Sequence, residues 1–181
     1  MKGNHSHASL RVAQVGDLVC VRIAGRATVH ASVSFKRFMR DQIDRGRYHF
    51  VLELSQCQIM DSTFLGVMAS LASQLQAATQ PNACMELVNG NERVLGLIDN
   101  LGVLGWFRVT ENALDSSQPV DASSVEMTQS LALETGSREE MARTSLAAHQ
   151  VLMALHPDNE QKFKEVTTFL EEQLGEDATR S

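Results

Sequence analysis

The sequence predicts an α/β domain built on a mixed β-sheet with an opening hairpin and packed helices, followed by a C-terminal α-helical hairpin. Three observations carry this. Two strand-like runs, 11–15 and 18–24, flank the tight-turn pair Gly16-Asp17. Strand and helix patterns then alternate to about residue 114, as in sheets covered by helices. Last, a Ser-rich interval is followed by two amphipathic helical stretches separated by His156-Pro157-Asp158.

Each element has a local reason. Residues 26–32 read as a loop, with Ser32 or Ser34 capping a helix over 33–45. Val33, Phe35, Phe38, Met39 and Ile43 form its apolar stripe; Lys36, Arg37, Arg40 and Arg45 form a basic face, read as solvated. A strand over 48–54 follows, then a loop over 55–61. The next helix covers 63–78, where Phe64, Met68, Leu71, Leu75 and Ala78 recur at alternating steps of four and three. Gly66 lowers helix propensity in its second turn, which points to close approach by another backbone. Residues 83–88 read as a strand, 93–100 as a helix, 106–109 as a strand and 111–114 as a helical turn. Ser137-Arg138-Glu139-Glu140 is a capping box opening a helix to about 155, with Met141, Ser145, Ala148, Leu152 and Leu155 on one face. A second helix runs over 159–174, closed by Gly175.

The expected organisation is therefore a flexible N-terminus (1–9), the α/β domain (10–114), a linker (115–136) in which Leu131-Ala132-Leu133 has the character to dock, the hairpin (137–175) and a flexible tail (176–181). Net charge follows this division. Residues 1–119 hold 11 Lys+Arg against 10 Asp+Glu, and residues 120–181 hold 5 against 12. An acidic chain with one Trp and one Tyr is a poor nucleic-acid binder, so no nucleic-acid partner is expected. No apolar run reaches membrane-spanning length, so no membrane partner is expected and the protein is placed in the cytoplasm. Cys20, Cys57 and Cys84 lie in apolar runs without metal-ligand spacing; they read as small buried hydrophobes in a reducing compartment.

No catalytic or metal-binding motif, nucleotide loop or other cofactor signature is present, which moves the expectation towards a non-enzymatic module without cofactor. Asp61 at a strand's end suggests a phospho-receiver. The acidic pair after the first strand and the late Lys that such a site needs are missing. What remains is Asp61-Ser62-Thr63, three short polar residues where a strand passes into a helix. Any of them suits a helix cap. The same place presents free N–H groups and the positive end of the dipole, so an anionic group on Ser62 would be well placed.

The run Leu52-Glu53-Leu54…Met60-Asp61-Ser62-Thr63-Phe64-Leu65-Gly66 resembles the signature of STAS domains, the fold of bacterial anti-sigma factor antagonists: a strand, then Asp-Ser-Ser/Thr-x-x-Gly, then an apolar helix. The order of elements is similar, and Gly25-Arg26-Ala27-Thr28 resembles the loop after their second strand. The resemblance covers about 10–114. It implies a partner-switching regulator that binds an anti-sigma factor serine kinase and is phosphorylated at Ser62. Asp61, Thr63, Phe64, Gly66, Arg26 and Thr28 would face the partner, with Asp61 orienting the hydroxyl or repelling the phosphate. Phe64 stands where many members carry Gly, and is expected to stiffen the loop or present an aromatic contact. The acidic hairpin lies outside the resemblance and would block the usual partner if it packed over Ser62. The competing expectation is a scaffold module in which Ser62 is only a cap and the hairpin mediates homodimer formation.

Overall fold

The computed structural model describes residues 8–110 and 126–179, with side chains to residue 176. The expected helical turn at 111–114, the first half of the linker and the outermost residues at both ends lie outside the described residues.

Strands β1 (Ser9–Val15) and β2 (Leu18–Ala27) form the opening antiparallel hairpin, turned at Gly16, whose φ of 60° is open to glycine at no steric cost. Helix α1 (Val29–Asp44), strands β3 (His49–Glu53) and β4 (Cys57–Met60), helix α2 (Ser62–Ala77), strand β5 (Cys84–Val88) and helix α3 (Glu92–Asn100) follow. A 3-10 turn at Leu104–Trp106 leads to β6 (Arg108–Thr110). The sheet order is β6-β5-β3-β2-β1, with β2, β3, β5 and β6 parallel. A two-residue strand β7 (Gln129–Ser130) adds to the β1 edge, and Leu131 and Leu133 beside it pack on the core.

Strand β4 falls where the sequence reads as a loop. Its partner is the far half of β2. Leu18–Arg22 of β2 pair with β3, while Gly25, Arg26 and Ala27 pair with Cys57, Ile59 and Met60 across a register shift at Gly25. Four residues with that remote partner carry too little periodicity to be seen alone.

Alternation along the strands sorts side chains to two faces. Leu10, Val12, Val21, Ile23, Phe50, Leu52, Met85 and Leu87 share one core with α1 and α2. On the opposite face Ala13, Cys20, Val51, Val88 and Met127 form a smaller cluster. Around it, Arg22 Nε donates to Glu53 Oε2 at 2.7 Å, and Glu86 Oε1 accepts from Arg108 Nη1 at 2.9 Å. Burial pushes the thiols of Cys20 and Cys57 up to about 11, so both stay neutral and pack as apolar groups. Cys84 is only half buried, against the expectation for all three.

Helix α1 starts four residues earlier than expected, and neither Ser32 nor Ser34 caps it. Thr28 occupies the cap position without a side-chain cap bond. Asp61 Oδ2 instead accepts from Val29 N–H at 2.8 Å, while Asp61 Oδ1 accepts from Phe64 N–H at 2.8 Å. One carboxylate thus satisfies orphan donors of two helices and complements both dipoles.

The C-terminal helices are α4 (Arg138–Leu155) and α5 (Asp158–Thr179). Ser137 Oγ accepts from Glu140 N–H at 3.1 Å, as the capping box predicts. Helix α5 runs through Gly175 rather than ending there.

Replacing Asp61 with Asn, whose NH₂ must face one of the two amides, is expected to lower stability by about 1–3 kcal/mol. Urea unfolding of the full chain followed by circular dichroism measures this. An unchanged midpoint would show that the shared cap is not needed.

Candidate functional site

The junction of β4 and α2 puts Asp61, Ser62 and Thr63 at one end of the sheet. Since Asp61 is the N-cap of α2, Ser62 is its first helical residue and its hydroxyl has no capping duty. Asp61 does not orient that hydroxyl, because backbone amides engage both its oxygens. The Ser62 hydroxyl meets the C-terminal hairpin instead. Ser62 Oγ lies 2.9 Å from His149 Nε2, and Thr63 Oγ1 lies 3.0 Å from Ser145 Oγ. One turn further on, a Cβ on Gly66 would fall 2.5 Å from the carbonyl oxygen of Ala148 and 2.7 Å from its Cβ. Helix α2 therefore carries glycine where the α4 backbone lies against it, and only a residue without Cβ allows this approach.

The hairpin is held at two further places. Its turn sits on the end of α3. There the buried Asn159 Nδ2 donates to Leu101 O at 2.8 Å and to Leu152 O at 2.9 Å, and Lys162 Nζ donates to Asn100 O at 2.8 Å. Gly102, with φ +64°, leaves room for the His156 ring. On α1, Arg37 donates to Glu134 at 2.9 Å and to Glu140 at 2.6 Å. The basic face expected to be solvated thus meets the acidic C-terminal part of the same chain.

The other expected partner residues fall into two groups. Thr63 is buried under Ser145 and Gly66 under Ala148. Phe64 is 0% exposed and packs on Phe35 with ring centroids 4.9 Å apart, so it is a core residue and presents no aromatic contact to a partner. Arg26 is exposed and Thr28 half-buried. Beside them a groove of about 530 Å³ between β4 and α3, lined among others by Met60, Arg93 and Leu97, stays open.

His149 was missed in the sequence. Its weak signal is position: it follows Ala148 and lies four residues after Ser145, on the same helix face. Its ring is 5% exposed and stacks on Phe163 at 4.7 Å. Nδ1 is buried without a partner. A bare lone pair costs less than an orphaned N–H, so the favoured tautomer has Nε2–H donating to Ser62 Oγ. A hydroxyl on an imidazole is also the first pair of a nucleophilic relay. Here no group orients the ring through Nδ1, and α4 fills the space beside the hydroxyl.

A second cluster was invisible without strand register. His49 and Cys84 are paired across β3 and β5, and with Glu86 they bring three metal-type ligand atoms within 4.8 Å of one another. The donor types would suit zinc. Hydrogen bonds to Cys84 and Glu86 raise the His49 pKa to about 9, and Arg108 also donates to Glu86 Oε1. A ligating His must be neutral, so a metal ion here would have to displace the His49 proton and compete with Arg108 for Glu86. The three side chains and Arg108 form an ion-pair network in which His49 and Arg108 hold the Glu86 carboxyl below its usual range.

The STAS domain family model matches residues 9–116. No curated protein matches the chain. Among solved structures, it is similar to Thermotoga maritima TM1081 in its NMR structure, at 20% identity and TM-score 0.51, covering 59% of this chain and 84% of that one. The anti-sigma factor antagonist SpoIIAA in its unphosphorylated form gives 18% identity and TM-score 0.50, covering 56% and 88%. The Bacillus SpoIIAA structure in the phosphorylated form gives 17% and 0.47, covering 56% and 91%. At these identities the likeness is one of fold.

Burial lowers the pKa of His149, with Asp61 pulling it back up. A depressed histidine favours the closed arrangement above its free value of about 6.5 and disfavours it as pH falls through that value, because the released ring binds the proton more readily. Urea midpoints of the full chain are therefore expected to drop between pH 7.5 and 5.5 by more than those of His149→Gln. Parallel pH curves for the two proteins would remove His149 as the cause.

Proposed function

Because the chain belongs to the STAS domain family, we propose that it is a partner-switching regulator of the anti-sigma factor antagonist type: it binds an anti-sigma factor serine kinase and is controlled by phosphorylation at Ser62. The observation that supports this most directly is the division of labour at the helix start. Asp61 alone caps α2, and Ser62 Oγ projects to the surface of the family domain, where its contact is a residue of the appended hairpin. A hydroxyl needed for the fold would be a poor switch; this one is not needed for capping. A phosphate there adds about −1.5 to −2 charges next to Asp61, on a face that must pack against a partner. The positive end of α2 offsets part of that charge within the chain but none of the desolvation at an interface.

Arg26 and Thr28 lie at the rim of the same end of the sheet. We assign them, with Asp61, Thr63 and Gly66, to the partner-facing region, and Phe64 to its support from below. The reading is of a non-enzymatic, cytoplasmic module acting through protein contacts. No helix among the described residues is long and apolar enough to cross a membrane.

The scaffold reading retains one supporting feature, Phe169 on α5, which is 60% exposed and faces away from the domain core. A dimer in equilibrium sedimentation that Phe169→Ser dissociates would favour it.

The switch is tested with full-length protein, an anti-sigma factor serine kinase and ATP. Mass spectrometry is expected to place phosphate on Ser62, and Ser62→Asp to weaken kinase capture about tenfold or more relative to Ser62→Ala, a difference of about 1.4 kcal/mol. Phosphate at another residue, or equal capture of the two variants, would refute the switch.

A further inference from the structure

The hairpin α4–α5 lies outside the segment that matches the family domain, which ends at residue 116. The sheet from β1 to β6 and helices α1–α3 fall within that segment. Yet the face of α2 that carries Ser62, Thr63 and Gly66 is covered, and its cover is α4. Ser62 meets His149, Thr63 meets Ser145, and Gly66 takes the Ala148 backbone.

The contact has the character of an interface between separate bodies at its Ser62 end and of a core at its centre. Ser62–His149 and Thr63–Ser145 are polar pairs between the first turn of α2 and the middle of α4, and Arg37 reaches Glu134 and Glu140 through exposed ion pairs. The exposed Arg37 pairs contribute little to stability, and each of the two buried hydroxyl contacts contributes about 0.5–1.5 kcal/mol net, because water replaces it on opening. Ala148 and Leu152 are buried with the main core, and Asn159 fastens the turn to the end of α3. The bond of His149 to Ser62 and its stacking on Phe163 hold the closed state, and burial of Nδ1 without a partner offsets part of that contribution. The Ser62 end is therefore the end from which the hairpin is released.

We infer that the α4–α5 hairpin is an intramolecular occupant of the partner-binding face, so that a partner reaches Ser62 only when α4 is displaced. The inference rests on the reading of Ser62 as the switch. It also specifies the chemistry of the trans partner. The partner competes with α4 for the same groove, so it presents a helix with a small residue opposite Gly66 and hydrogen-bonding side chains opposite Ser62 and Thr63. Its apparent affinity is reduced by the fraction of molecules in which the hairpin is closed.

A reversible lock tests this in the full chain. Thr63 and Ser145 have hydroxyls 3.0 Å apart, so Thr63→Cys with Ser145→Cys places two thiols for a bridge that oxidation closes and reductant opens. Amide hydrogen exchange is measured in both forms over 62–66 and 144–152, with β3 and β5 as internal references for an intact fold. Oxidation is expected to slow exchange in the two segments by about tenfold or more while leaving the strands unchanged. Equal rates in the two forms, or opening of the segments only together with the strands, would overturn the inference. Kinase capture is then compared between the same two forms. Loss of about tenfold or more on oxidation, regained with reductant, supports it. Equal capture by both forms, at the level of the wild type, overturns it and leaves the Ser62 switch standing; where the Thr63 change itself removes capture from both forms, the exchange result decides. If the kinase captures neither these forms nor the wild type, the switch reading fails, and the exchange result alone decides whether the hairpin opens. His149→Ala supplies a second route without new thiols. With the strands still protected, it is expected to speed exchange over 62–66 by about threefold or more, and unchanged exchange counts against the inference.

Discussion

Two helices in this protein begin on one carboxylate. Val29 N–H and Phe64 N–H both donate to Asp61, at 2.8 Å each. The free N–H groups at a helix start must find acceptors, and a negative group there is favoured by the dipole. Using one residue for both starts fixes α1 and α2 relative to each other. It also fixes both to β4, since Asp61 N–H donates to Ala27 O at 2.9 Å and continues the β2–β4 pairing. Strand β4, in turn, exists because β2 is long enough to pair with β3 along its first half and with β4 along its last. The end of the sheet that carries Ser62 is thus tied together from three elements by short, directional bonds.

That rigidity has a consequence for Ser62. With capping assigned to its neighbour, the side chain at the first helical position is left to make contacts outside the helix. In this structure it makes them with His149, from a hairpin appended to the family domain. Glycine at position 66 lets α4 come in at backbone distance, and the His149 ring is wedged between Ser62 and Phe163. Charge works in the same direction at longer range. The acidic C-terminal part reaches the basic face of α1 through Arg37, Glu134 and Glu140, although these pairs are exposed and salt screens them.

Several features were legible because they are local. The opening hairpin follows from Gly16-Asp17 between apolar runs, and α2 from its apolar stripe. The start of α4 follows from Ser137 and Glu140. Others were read wrongly for identifiable reasons. Ser32 and Ser34 are good caps by type, but Val29 finds its acceptor 32 residues away, so α1 begins earlier. Residues 57–60 read as loop because their pairing partner lies in another strand. Phe64 was expected to stiffen the loop or present an aromatic contact, but it is fully buried in the core under α2 against Phe35. Gly175 is a helix stopper by propensity alone, and α5 continues through it.

By itself the sequence determined the alternation of strands and helices, the placing of Asp61-Ser62-Thr63 at a strand–helix junction, and the amphipathic hairpin behind an acidic divide. All three depend on residue type and spacing within one or two turns, and such preferences act wherever the segment ends up. Tertiary structure decided which of three capping residues caps and what the remaining hydroxyl touches. It also decided that His49 and Cys84 stand side by side. The hydroxyl's contact and the His49–Cys84 pairing join residues far apart in the chain, 87 positions for Ser62 and His149. Hydrogen bonds of this kind depend on distance and angle. Neither is defined until the sheet register and the helix packing have brought the segments together.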